Sequence, residues 1–217
     1  MGGGEAMVEA VTFWADRRHA VQLVARLAEV LSRHDLRPAD IDQIYVSIGP
    51  GSFTGLRVGI TVARTLAQLL PDAACVAVPT IEAVAENARD LEFEHLGVVM
   101  DAKEGTVYAG VFVRREGQIT PAGEPALKPA DAFAAECPKP IRLIGEALGY
   151  QKIIGGGIAI GDESLWLPRP EGLWRVGRAT ARSSRFTSYK DILPLYLRKP
   201  EAVRLWELPG RRKKSKF

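Results

Sequence analysis

The most constraining stretch of the chain lies between residues 44 and 78, where the hydrophobic period changes twice. A short apolar run, Ile44–Ile48, ends in Gly49-Pro50-Gly51-Ser52-Phe53-Thr54-Gly55. A long pattern of helical period then follows to about Leu70, and a second apolar run, Cys75–Val78, closes the unit. Strand, glycine loop, helix and strand in that order are the alternation of an α/β protein, and the hairpins further along make its sheet a mixed one. The chain is therefore read as an α/β protein.

The loop resembles a phosphate cradle but meets neither standard specification. A Walker A loop needs a lysine for the β/γ-phosphates, and none lies among Gly49, Gly51, Gly55 and Gly59. The dinucleotide pattern G-x-G-x-x-G fails by one place, because the third glycine falls at Gly55. Two readings stay open. The loop's backbone N–H groups bind an anion at the helix N-terminus, or Ser52 and Thr54 merely cap that helix.

The following helix, residues 54–70, carries its polar residues Arg57, Thr61, Arg64 and Gln68 in one narrow stripe. The rest is apolar or small, so most of its circumference must be covered. Gly55, Gly59, Ala63 and Ala67 recur every four residues and would let another backbone approach closely, either its own sheet or a partner helix. An earlier helix is read over residues 17–34, capped by Asp16, with apolar Ala20, Leu23, Val24, Leu27, Ala28 and Leu31 on one stripe. Arg17 and Arg18 in its first turn oppose the helix dipole, which marks an anion or partner contact or a later helix start.

Around these elements the pattern predicts a strand over residues 6–14 and a short helix capped by Thr80 and running to about 89. A hairpin of strands 97–101 and 106–113 crosses residues 102–105, and a turn falls at 114–117. A helix over 129–136 and a strand over 141–145 follow. The glycine-rich stretch to about 185 gives no clear assignment. A boundary near residue 96 divides the chain into an N-terminal lobe (1–96), a C-terminal lobe (97–200) and a basic tail (201–217).

Composition excludes several classes. The net charge is +3, but five cations sit in Gly210–Phe217, which leaves −2 for the rest, so no basic domain face is implied. The tail is read as solubilising or as a nucleic-acid contact. No stretch reaches the roughly 18–20 apolar residues of a membrane helix, and the first residues lack a signal-peptide apolar region. Cys75 and Cys137 give neither a disulfide framework nor metal spacing. With the histidines confined to His19, His34 and His95, no catalytic constellation and no metal site is expected. Asp101, at a strand end, is read either as a cleft carboxylate or as a turn residue. A cytoplasmic setting follows.

Five motifs carry a family resemblance in order: ADRRHA, GPGSFTGLRVGI, VPTIEAVAENA, MDAKEGTVYAGVF and PLYLRKPEA. Together they resemble the TsaB (YeaZ) family, the dimerization subunit of the bacterial tRNA threonylcarbamoyladenosine system. The resemblance implies an actin/Hsp70-like (ASKHA, ribonuclease H-like) two-lobe fold and a non-catalytic role as partner of TsaD. TsaE and tRNA are expected in the same complex, and a homodimer is expected for the isolated chain. It also implies that Gly49, Gly51, Ser52, Phe53, Thr54 and Gly55 form a degenerate nucleotide loop. The first two helices become the subunit contact, with Arg17, Arg18, His19, Arg57, Gly59, Ala63 and Ala67 as candidate residues. No cofactor is required of this chain, while ATP or ADP at the interface of the complex is compatible with the family. The sequence opens at what matches the family's third strand, so two N-terminal strands and a cleft-side Asp are expected to be missing, which weakens nucleotide binding. The competing readings are a small ATPase or phosphotransferase of the same fold and an M22-type peptidase, whose metal ligands are not found here.

Overall fold

A computed structural model describes residues 1–3, 6–12 and 19–197. The alternation forms a βαβ unit: β3 (Gln43–Gly49), α2 (Phe53–Leu69) and β4 (Ala74–Pro79), with β3 and β4 parallel. β4 is apolar throughout because both faces of the pair are covered. On one face α2 places Ile60, Ala63 and Ala67 against Val46, Cys75 and the fully buried Ile192. On the other, α5 (Pro170–Arg182) brings Leu173, Val176 and Ala181 to Tyr45, Val76 and Val78. Among the described residues this sheet has two strands. A separate small hairpin pairs β1 (Gly2–Gly3) with β2 (Ala6–Met7). Of the strand expected over 6–14, residues 13–14 lie outside the described residues, and β2 ends at Met7 because the N–H groups of Val8 and Glu9 both turn back to the Met1 carbonyl.

The second sheet has six strands, ordered β10–β9–β5–β6–β7, with β8 also on β6. β5 (His95–Asp101) and β6 (Thr106–Arg115) are the expected antiparallel hairpin. The outer edge of β6 is shared: β7 (Gln118–Pro121) takes one end and β8 (Ala126–Pro129) the other. β9 (Ile141–Ile144) joins β5 in parallel and β10 (Ile158–Ile160) joins β9. α4 (Ala130–Glu136) closes one face of this sheet through Phe133. α3 (Thr80–Ala85) closes the other with Ile81, Val84 and Ala85. Ala83 of α3 packs instead with Val76 and Val78, so α3 ties the two sheets together.

Two expectations are corrected. Thr80 does not cap α3: the cap position is Pro79, without a side-chain bond, and the Thr80 hydroxyl faces that of Ser47 at 2.6 Å. The helix begins directly off the strand, which turns this hydroxyl toward β3. A cut near residue 96 divides the strands of the two sheets but not the lobes, because the chain returns with α5 and Ile192 to pack on the first sheet. α5 itself was obscured in the sequence by Gly172 and Gly177. A Cβ at Gly172 would strike the carbonyl oxygen of Ala83, and one at Gly177 would lie 2.5 Å from the Tyr45 ring. Gly172 is bare because the α3 backbone meets it, and Gly177 because the Tyr45 ring does. Pro170 at the helix start, Glu171 in the first turn and Arg182 in the last were the available signals.

Candidate functional site

The glycine loop crosses the carboxyl end of β3. Gly49 has φ +112° and its absent Cβ would press on the Leu195 carbonyl and the Leu56 side chain, each 3.0 Å away, so only glycine fits. The Ser52 hydroxyl accepts from the Gly55 N–H at 3.2 Å and caps α2. That bond uses one of the donors an anion would need. Phe53 is exposed, its ring 5.3 Å from Tyr196, with the Arg57 guanidinium 5.2 Å from its centroid. Gly51, Ser52, Thr54 and Gly55 all lie at the surface.

Parallel strands present ligands beyond their carboxyl ends, and here the Ser47–Thr80 hydroxyl pair lies close to those ends. Besides the Ser47–Thr80 hydroxyl pair, Glu82 of α3 has its carboxyl pushed up by burial and by Glu124, against the pull of Arg185. The Tyr108 phenol is likewise raised by burial, then by Glu124 and Glu82. Ser47, a small hydroxyl residue inside the short apolar run of β3, was the legible sign. At the β5–β6 turn Asp101 takes the turn role. Its carboxylate, 5% exposed, pairs with Lys103 Nζ at 2.7 Å and accepts from the Lys103 N–H at 3.2 Å and Gln151 Nε2 at 3.3 Å. Burial raises its pKa, but these bonds outweigh it and hold it low. No group of three or more metal-ligating side chains occurs among the described residues.

The second candidate surface is built by α1 (His19–Arg33) lying on α2. α1 is described from His19 onward; the expected cap Asp16 and Arg17 and Arg18 lie outside the described residues, and the His19 side chain is not described either. Val30 is buried and Leu23 half-buried. The same apolar stripe continues around the helix into the open, where Val24 is 55% and Leu27 38% exposed and Ala28 is also bare. Ala28 and Leu31 open into a shallow groove of about 360 Å³ with Leu36 and Pro38. On α2, Leu69 stands 71% exposed. Glu9, held by Arg33 and by His34 Nε2 at 2.8 Å, fastens the N-terminal segment to the end of α1.

The small-residue row on α2 is split. Arg57 is exposed and Gly59 has open space before it, but Ala63 and Ala67 are buried against the first sheet, at 5% and 6% exposure. Ala63 and Ala67 are therefore core residues and not partner contacts. Helix geometry gives the reason: a four-residue step turns about 40° beyond a full circle, so a row of three such steps winds about 120° around the helix. It starts on the open side at Gly55 and ends under the helix.

Two parallel strands joined by a glycine loop and helix, set against a hairpin-rich mixed sheet, define the two-lobe α/β fold of the actin/Hsp70-like class. The profile of the family "TsaD: tRNA N6-adenosine threonylcarbamoyltransferase" matches residues 13–152. The tRNA threonylcarbamoyladenosine biosynthesis protein TsaB of Bacillus subtilis (strain 168) is 29% identical over 88% of this chain and 84% of its own. TsaB of Escherichia coli (strain K12) is 26% identical over 90% and 86%. The structure of YeaZ from Pseudomonas aeruginosa superposes with a TM-score of 0.71 at 26% identity, over 83% of this chain and 85% of that one. The chain belongs to that family, on its TsaB (YeaZ) branch.

Proposed function

We propose that this chain is a non-catalytic subunit in tRNA threonylcarbamoyladenosine biosynthesis, acting in the cytoplasm as the scaffold on which TsaD, with TsaE, threonylcarbamoylates adenosine next to the anticodon. The observation that carries the reading is the unfinished apolar stripe of α1, where Val24, Leu27 and Ala28 lie open beside α2. An amphipathic helix whose apolar face is wider than its own contact fits a partner helix. The partner is TsaD in the complex and a second copy of this chain when it is alone. In this reading Arg57 and Gly59, on the open side of α2, and the His19 position at the start of α1 belong to the same contact. In this reading the chain needs no cofactor of its own, and ATP or ADP enters only at the contact between subunits. The glycine loop keeps its shape because β3 must turn into α2 there, with Ser52 closing the helix end. The names of the TsaB relatives support the pathway, and the helix face supports the role within it.

Co-purification with TsaD and TsaE, followed by a tRNA modification assay, tests the reading. The expected outcome is a stable complex, modification only when all components are present, and no appreciable ATP turnover by this chain alone. Robust turnover by the pure chain, abolished by a loop substitution, would overturn it.

A further inference from the structure

From residue 172 to residue 190 the sequence holds four arginines and a lysine and no acidic residue. Three of the arginines fall on α5 at positions 175, 178 and 182. At about 100° per residue these lie within a sector of about 60°. That sector is opposite the face that buries Gly172 and Gly177 and packs Leu173 and Val176 on the first sheet. Arg175 and Arg182 are exposed, and Arg178, half-buried, lies 5.3 Å over the Trp174 ring. Opposing charges near this face include Glu171, one turn ahead on the same side, and Asp42, whose charge is felt at Tyr45 together with those of Arg178 and Arg182, and both of these arginines make further contacts within the chain.

We propose that this arginine face of α5 is a contact for the phosphate backbone of RNA, which in the proposed function is the tRNA substrate. Spacing supports it: positions 175 to 182 extend over about 10 Å of helix axis, the length over which one strand of a duplex presents about three phosphates. The guanidinium fork suits phosphate better than a lysine would. The contact is with the backbone and not with bases. Trp174, the aromatic group that could stack on a base, is already enclosed by Arg178, by Tyr45 at 5.6 Å and by Gly2, whose Cβ would meet the indole. The face therefore contributes affinity and orientation without sequence readout. It is distinct from the open stripe on α1, so one subunit presents an apolar face to protein and a cationic face to RNA.

The inference rests on the proposed function only for the identity of the RNA. Its test is binding of an unmodified tRNA transcript by the full chain, alone and with TsaD and TsaE, over a range of salt. The comparison is with the Arg175→Gln/Arg178→Gln/Arg182→Gln variant. The expected result is a loss of about tenfold or more at low salt, and a slope of log affinity against log salt that becomes shallower by about 2, since each lost phosphate contact removes about 0.7–0.9. Deleting residues 210–217 in both backgrounds separates the basic tail, and the stripe's share must persist without it. The double variant Arg175→Gln/Arg182→Gln keeps the Arg178–Trp174 contact and serves if the triple variant fails to fold. A folded variant with unchanged affinity and slope would overturn the proposal, as would loss of TsaD association with tRNA binding intact, which would make the face a protein contact. Failure of the wild-type chain to assemble with TsaD would count against the proposed function and leave the RNA result readable.

Discussion

α1 and α5 are both amphipathic helices packed beside the first sheet, yet they finish their faces in opposite ways. α5 spends its apolar side on Tyr45, Val76 and Val78 and turns arginines outward. α1 buries Val30 but leaves Val24, Leu27 and Ala28 bare. The contrast shows that amphipathicity alone does not say what a helix is for. What distinguishes the two is the width of the apolar stripe relative to the contact that covers it. α5 finds its cover among the described residues, and in the function proposed above α1 is covered by a partner.

The largest expected effect breaks that contrast directly. Val24→Asp/Leu27→Asp should abolish association with TsaD, a loss in the roughly 2–4 kcal/mol range of interface hot spots or above. The melting temperature of the chain alone at high dilution should fall far less, because Val24 is more than half exposed and Leu27 more than a third. Analytical ultracentrifugation and a pull-down would check this, and full association with both aspartates in place would remove α1 from the interface.

A smaller effect should come from the underside of α2. Ala63→Trp forces a large ring between α2 and Val46, and overpacking of this kind costs typically 1–3 kcal/mol. The expected readout is a lower denaturation midpoint. A folded Ala63→Trp chain of wild-type stability that no longer binds TsaD would return this position to the interface. Ser52→Ala should cost about 1 kcal/mol, the ordinary worth of a helix cap. A greater loss in tRNA modification than in stability would instead give the hydroxyl a functional role.

These two positions also show what was legible beforehand. The β3–α2–β4 alternation, the β5–β6 hairpin and the apolar stripe of α1 were readable because period and turn residues agree there. The Gly59/Ala63/Ala67 row was legible as a row but not as a direction, since the 3.6-residue turn carries it from solvent into the core. α5 escaped because Gly172 and Gly177, which its packing requires, are the residues that most weaken a helical pattern. The group of Glu82, Tyr108 and Glu124 comes from three separated segments. No local spacing announces such a group.

The smallest effect concerns charge, and it separates two neighbouring carboxyls on the second sheet. Lys103 and Gln151 hold the Asp101 pKa down against burial, so its folded state is favoured when ionised. That stability is complete above the ordinary carboxyl pKa near 4 and is lost as pH falls through the lower folded value. Glu146 runs the other way. Burial, and then the charge of Asp101, pushes its carboxyl up, so the folded state prefers it protonated, and stability falls as pH rises from about 4.3 through the folded value. Glu146→Gln removes only this second effect. Its melting temperature should exceed the wild type at neutral pH and converge with it below about pH 4.3. Because Glu146 is half-buried, water screens much of the gain and the difference should be modest. A constant offset between the two melting curves from pH 4 to pH 8 would show that Glu146 titrates alike in the folded and unfolded chains, and that Asp101 stands without a coupled neighbour.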